Sequence, residues 1–201
     1  MRIILRGDAL PQQLNFGCGT KIKEGWFNLD AKIDTTYLET LTRDLISTWV
    51  VEGLVKSPHA LPNNHFKEIL AEMVFEHIHP DNIPNTLYCL YHALAPGGIL
   101  TIIVPNFLRL AKKLTEIGDL DNLENRNMLR NINNEMLDPT FEDMGFLHGH
   151  KSIWVPFMAK HWLTSEGYIL PHITSFGPND FYLKICSSKP EENTYGSPTT
   201  E

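Results

Sequence analysis

Two glycines one residue apart, Gly17 and Gly19, follow the short apolar run Gln13–Gly17, and a carboxylate, Asp30, closes the next apolar run at Trp26–Asp30. Glycines directly after a strand let the main chain approach a ligand with bare amides and no Cβ in the way. An acid at the end of the neighbouring strand is placed to accept hydrogen bonds from ribose hydroxyls. Gly-x-Gly alone is equally a tight turn, so the spacing has to decide. A dinucleotide site requires a third glycine and an acid about 20 residues further on. Here positions 21 and 22 are Lys21 and Ile22, Asp30 arrives well before that distance, and no full crossover helix fits between Gly19 and Trp26. A pyrophosphate seat is poorly supported. An adenosyl ligand without phosphate fits better.

Histidines are the second set of residues with chemistry to offer. The chain has nine, and four fall in H-x-H pairs: His77 and His79 in EHIHP, His148 and His150 in LHGHK. Two imidazoles so spaced can hold zinc or iron, with Glu72, Glu76 and Asp143 as further donors. Pro80 and Gly149 interrupt both segments, and the reading taken forward carries no metal. Cys18 lies beside the glycine bend, where the main chain does the work, so it is not read as a nucleophile.

The elements that position these groups follow from hydrophobic period. Gln13–Gly17, Trp26–Asp30 and Phe66–Met73 read as strands, the last with helix as a fair competitor on propensity, and Asn82–Leu94 has helical spacing, after Pro80 and before Ala95-Pro96-Gly97-Gly98. Ile99–Val104 is apolar throughout and predicts a strand buried on both faces. Phe107–Ile117 and Asn122–Met136 are helix-like, Phe141–His150 loop-like, and Ser152–Glu166 a helix stopped by Gly167. On that last helix Trp154, Phe157, Met158, Trp162 and Leu163 read as core. Tyr168–Phe176 and Asp180–Ser187 form a closing strand pair through Gly177-Pro178-Asn179. The fold class is therefore α/β: a Rossmann-like, doubly wound, mostly parallel sheet with a C-terminal antiparallel pair. Ligands in such sheets sit beyond the carboxyl ends of the strands, where the strand order reverses.

Composition narrows the setting. With 201 residues, 42% hydrophobic and 20% charged, the chain suits one domain, read as 1–188 with a helical insertion at 107–147 and a disordered polar tail at 189–201. A formal charge of −7 disfavours non-specific nucleic-acid binding, which depends on many cations neutralising phosphates. No apolar stretch is long enough for a bilayer or a signal peptide, and three scattered cysteines, Cys18, Cys89 and Cys186, suit a reducing compartment. The expectation is a cytoplasmic protein, monomer or homodimer, acting on neither membrane nor nucleic acid.

Three segments in order carry a family resemblance. LNFGCGTKIKEGWFNLD (Leu14–Asp30) resembles the first motif of class I S-adenosylmethionine (SAM)-dependent methyltransferases, in the type 11-like branch with a short first connection, "LNLGCG…GWINVD". LPNNHFKEILAEMVFEHI (Leu61–Ile78) is similar to "LPF.DNSFD.I.A..VLEHI", and LYHALAPGGILTIIVPN (Leu90–Asn106) to the helix, "L.PGG" turn and strand that follow. Gly149–Tyr168 matches weakly. The resemblance covers roughly half the chain.

It implies SAM as cofactor and a role for each matched position. Phe16, Gly17, Cys18 and Gly19 would wrap the methionine part with backbone groups. Asp30 would hold the ribose diol with Ala31 beside the adenine, and Asp44, followed by Leu45, would take the adenine amino group. Ala71, Glu72 and Met73 would face the sulfonium, and Glu76 and His77 match the "EH" pair. Lys67 replaces the usual aspartate, far from the chemistry, and Phe107–Leu147 exceeds the usual connection and would shape the acceptor site. The implied reaction is methyl transfer to a small-molecule or sugar-like acceptor, O-methylation favoured, which calls for a base near neutrality. His150, ahead of His148, is the candidate base or orienter; both are equally readable as loop histidines at the helix start. A non-catalytic module binding SAM or S-adenosylhomocysteine is the alternative. An NAD-linked reductase is disfavoured by the missing third glycine and the early acid.

Overall fold

The computed structural model describes residues 1–7, 9–33, 49–53, 61–116 and 150–191. Eight strands form one sheet: β1 (Arg2–Leu5), β2 (Gln13–Phe16), β3 (Phe27–Asp30), β4 (Trp49–Glu52), β5 (Phe66–Glu72), β6 (Leu94–Pro105), β7 (Ile169–Phe176) and β8 (Tyr182–Ser188). Their order is β1-β4-β3-β2-β5-β6-β8-β7. Strands β4-β3-β2-β5-β6 are mutually parallel, β8 lies antiparallel between β6 and β7, and β1 lies antiparallel on β4. The chain leaves β2 toward one edge through β3 and β4, then builds β5 and β6 on β2's other side. The strand order thus reverses between β2 and β5, which marks the ligand position in open α/β sheets. The doubly wound class with its C-terminal antiparallel pair is present.

Three helices are described: α1 (Ile83–Ala93), α2 (Phe107–Glu116) and α3 (Pro156–Ser165). None is long and apolar enough to cross a membrane. Ile83, Leu87 and Leu90 of α1 and Ala159 and Leu163 of α3 join Leu14, Phe16, Ile69, Leu100 and Ile102 of the sheet in one buried cluster. The helical spacing read over Asn82–Leu94 is the face that enters it.

Several sequence expectations change. Strands β1 and β4 were not foreseen; RIIL and WVVE are four-residue segments whose pairing is settled by each other and by β3. β6 is longer than Ile99–Val104 and continues back through the Ala95–Gly98 segment, which is irregularly paired strand rather than a stop. It is not buried on both faces: Leu100, Ile102 and Val104 are buried, whereas Ile99 is 47% exposed and Thr101 and Ile103 are half-buried. Only the face that joins the α1/α3 cluster is dry, so the strand alternates with period two.

The late helix starts at Pro156, not Ser152. The Lys151 and Ser152 amides donate to the Glu76 carbonyl at 2.6 and 3.0 Å, and the Ser152 hydroxyl donates to the Phe75 carbonyl at 2.8 Å, holding this stretch extended. Trp154 is core from that extended segment, while Phe157 is 71% exposed and not core. Lys189 is tied down as well: its amide donates to the Gly98 carbonyl and its ammonium to Asn64 Oδ1 at 2.6 Å. The order of the chain therefore extends through the start of the expected tail. Asn122–Met136 lies outside the described residues.

Candidate functional site

The connection from β2 to β3 contains turns and no helix, as its length dictates. What shapes it is a pair of buried asparagines that sequence reasoning missed. Asn15 Nδ2 donates to Asn28 Oδ1 and to the Lys21 carbonyl, both at 2.8 Å. Asn28 Oδ1 also accepts from the Lys23 amide at 2.9 Å, and its Nδ2 donates to the carbonyls of Lys23 and Trp26 at 2.9 and 3.0 Å. Buried amides that satisfy loop backbone groups substitute for the missing helical ladder. The available signal was asparagine at matched positions of adjacent strands, Asn15 opposite Asn28. Asn28→Ala removes the partner of Asn15 Nδ2, the Lys23 amide and the carbonyls of Lys23, Trp26 and Trp49, and is expected to cost about 2 kcal/mol. A urea midpoint equal to that of the parent protein would refute this.

The glycine bend sits on that frame. The Gly17 and Cys18 amides both donate to the Leu29 carbonyl, at 2.7 and 3.1 Å, and the Gly19 amide donates to Asp30 Oδ2 at 2.8 Å. The Lys32 amide donates to Asp30 Oδ1 at 3.1 Å. Amides expected to face a ligand are thus engaged within the protein, and they position the Asp30 carboxylate at the end of β3. Gly17 adopts φ +69°, and a Cβ there would lie 2.3 Å from Val74 Cγ2. Gly19 adopts φ +52° but faces open space, with nothing within 4 Å of where a Cβ would stand. Phe16 is core and packs on Phe75 at 6.3 Å between ring centroids. Burial, and then the Asp30 charge, push the Cys18 thiol far above its ordinary range, which makes it a poor nucleophile. Ala31 is exposed beside Asp30. Asp44 and Leu45 lie outside the described residues.

Across the switch point, β5 brings the second half. Ala71 is buried, and Glu72 pairs with Lys21 Nζ at 2.6 Å, bridging the end of β5 to the β2–β3 loop. Met73 adopts φ +56°, a strained conformation for a side chain of its size, fixed by its amide's bond to the Ile103 carbonyl at 2.8 Å. The chain then enters a 3-10 turn at Phe75–His77. His77 is stacked edge-on against His150, ring centroids 5.1 Å apart, although the two are far apart in sequence. His148 and Asp143 lie outside the described residues. His79 turns instead to Asp81, with Nδ1 3.4 Å from Asp81 Oδ2, so the first H-x-H does not act as a pair.

Glu76 is the residue underweighted at the sequence level. It is 1% exposed, and among the described residues neither of its carboxylate oxygens has a hydrogen-bond partner. Burial pushes its carboxyl up to about 8. Burial, and then the charge of His77, bring His150 down to about 4. His150 is therefore neutral at physiological pH and a weak proton acceptor, better suited to orienting or ligating than to general-base work.

No protein-family model matches the chain, and no curated protein matches it. Solved structures do. An S-adenosylmethionine-dependent methyltransferase from Mesorhizobium loti aligns with a TM-score of 0.62 at 13% identity, over 92% of this chain and 94% of that one. Haemonchus contortus phosphoethanolamine N-methyltransferase 2, in complex with S-adenosyl-L-methionine, aligns with a TM-score of 0.56 at 11% identity, over 93% of this chain and 50% of that one. The present chain thus spans about half the length of the Haemonchus contortus enzyme. Burkholderia thailandensis 1,6-didemethyltoxoflavin-N1-methyltransferase, with bound 1,6-didemethyltoxoflavin and S-adenosylhomocysteine, aligns with a TM-score of 0.56 at 14% identity, over 89% of this chain and 71% of that one. The chain has the Rossmann-like fold of the SAM-dependent methyltransferases.

Proposed function

We propose that this protein is a SAM-dependent methyltransferase acting on a small-molecule or sugar-like acceptor, with oxygen as the methylated atom. The observation that carries the reading is the Asp30 carboxylate, held by the Gly19 and Lys32 amides at the carboxyl end of β3, beside the sheet's switch point. Both Asp30 oxygens retain acceptor capacity for a ribose diol. Gly19 offers open space next to it, and the turn after β5 would form the other wall of a cofactor crevice. A carboxylate for the ribose, close main-chain approach and the lack of a phosphate seat all suit SAM.

Methyl transfer is an in-line displacement at a carbon activated by the sulfonium, and the thioether leaves neutral. Alignment of acceptor, methyl and sulfur can supply about 7–11 kcal/mol of the barrier reduction. The residues that would align the cofactor are Phe16, Gly17, Cys18, Gly19, Asp30, Ala31, Asp44, Leu45, Ala71, Glu72, Met73 and His77. His150, with His148, would face the acceptor. The sugar-like acceptor rests on analogy with the branch that the motifs resemble.

Calorimetry with S-adenosylhomocysteine tests the cofactor reading directly. The parent protein is expected to bind it and to ignore NAD. Asp30→Asn keeps one acceptor oxygen and replaces the other with a donor, and should weaken binding by about tenfold or more, at least 1.4 kcal/mol. A folded protein with no affinity for SAM or its demethylated product would overturn the proposal.

A further inference from the structure

We propose that Glu76, His77 and His150 bind one divalent transition-metal ion of the zinc class beside the cofactor crevice, with an open coordination position for an acceptor oxygen. The part about the acceptor rests on the methyltransferase reading; the metal site itself does not. One ligand atom from each of the three residues lies within 4.8 Å of the others, and His77 Nε2 stands 3.9 Å from Glu76 Oε1. Donors on one tetrahedral zinc ion lie about 3.3 Å apart, so modest side-chain closure suffices.

The independent observation is the state of Glu76. A carboxylate this buried, with neither oxygen hydrogen-bonded among the described residues, is rare and costly, and a metal partner resolves it. Among the described residues its one ion-pair partner is His77, at a loose 3.9 Å. The scaffold around it is braced: the Lys151 and Ser152 amides bond the Glu76 carbonyl, Ser152 Oγ bonds the Phe75 carbonyl, and Trp154 Nε1 bonds Ser152 Oγ at 3.1 Å. Those bonds keep the His150 segment against the turn carrying Glu76 and His77.

Donor chemistry selects the ion. Two imidazoles and one carboxylate suit zinc, iron or cobalt rather than magnesium or calcium, which take mainly oxygen. Three protein donors with both histidines only half-buried describe a site with a position left open, as catalytic zinc sites have. The site follows β5 directly, and Val74 and Phe75 in the same stretch touch Gly17 and Phe16 of the cofactor loop. An acceptor hydroxyl on the ion would release its proton to water. The resulting oxygen would then attack the methyl carbon, forming C–O as C–S breaks, with the electron pair leaving on sulfur. The ion would thereby supply the removal of the acceptor's proton.

The test uses untagged, chelator-treated full-length protein titrated with cobalt(II), read by visible d–d absorption, with zinc(II) as competitor. The expected result is one saturable cobalt site displaced by zinc, with affinity at least tenfold weaker in Glu76→Gln and in His150→Gln. Both variants should still bind S-adenosylhomocysteine, which shows that they are folded. Glu76→Asp, which keeps a carboxylate, should retain measurable cobalt binding. A parent protein that binds S-adenosylhomocysteine but no cobalt, or variants that bind cobalt as tightly as the parent, would overturn the proposal. Cobalt binding with the expected losses but no affinity for S-adenosylhomocysteine in the parent supports the metal site and overturns the cofactor reading instead.

Discussion

Gly17→Ala is expected to abolish measurable S-adenosylhomocysteine binding and to lower stability by about 3 kcal/mol, whereas Gly19→Ala is expected to fold well and bind poorly. The two glycines differ in what surrounds them. At Gly17 a methyl would overlap both Val74 methyl carbons, at 2.3 and 2.7 Å, in a left-handed conformation that alanine resists. Val74 has little freedom to give way. It is buried between the end of β5 and the Phe75–His77 turn, in the cluster that also holds Phe16 and Phe75. Relief therefore requires moving the loop, and with it the amides that engage the Leu29 carbonyl. At Gly19 the same left-handed strain costs about 1 kcal/mol, and no protein atom stands in the way. A methyl there would enter the space proposed for the cofactor, so affinity should fall by about tenfold or more while the urea midpoint moves little. Equal affinities in Gly19→Ala and the parent protein would show that the open space at Gly19 is not where the cofactor lies.

That contrast also marks how far the sequence could be read. The β2–β3 loop was legible because its logic is local: the strand, the glycine bend and Asp30 lie within one short stretch, too short for a helix. α1 was legible because Ile83, Leu87 and Leu90 repeat with helical period and all reach the core. β1 and β4 were not, since a four-residue strand has no internal pattern to speak of and is stabilised by its neighbours. Ser152–Val155 has residues at helical spacing, yet it runs extended because its donors find acceptors in the Phe75–Glu76 backbone. No propensity reports such a tertiary bond. The site divides in the same way. Asp30 and the glycines could be placed from spacing, while the approach of His150 to Glu76 and His77 depends on that extended segment docking on the turn after β5. The H-x-H pattern pointed to His79 as the partner of His77, and the fold supplies His150.

Replacing Glu76 with glutamine should raise the stability of metal-free protein at pH 9 by about 3 kcal/mol, or roughly 10 °C in melting temperature, and leave it nearly unchanged at pH 5. The carboxyl is buried with neither oxygen hydrogen-bonded among the described residues, and its proton affinity rises from the ordinary 4.5 to about 8. The folded state therefore holds this proton more tightly than the unfolded chain does. The stability so contributed is complete below pH 4.5, declines as the pH rises, and is gone once the folded-state carboxyl has ionised above pH 8. Glutamine mimics the neutral acid in shape and charge, so the variant skips that decline. Among the described residues, the titratable side chains that meet Glu76 are His77 and His150. His150, lowered to about 4, contributes stability that is full above its ordinary 6.5 and lost as the pH falls toward 4. That loss occurs in parent and variant alike and cancels in their difference. Chemical denaturation with a chelator present, at pH 5, 7 and 9, measures the gap directly; parallel curves for the two proteins would mean that Glu76 has an unseen partner. A stabilising Glu76→Gln would mark a residue whose charge costs the fold stability, as a group serving a site rather than the fold does.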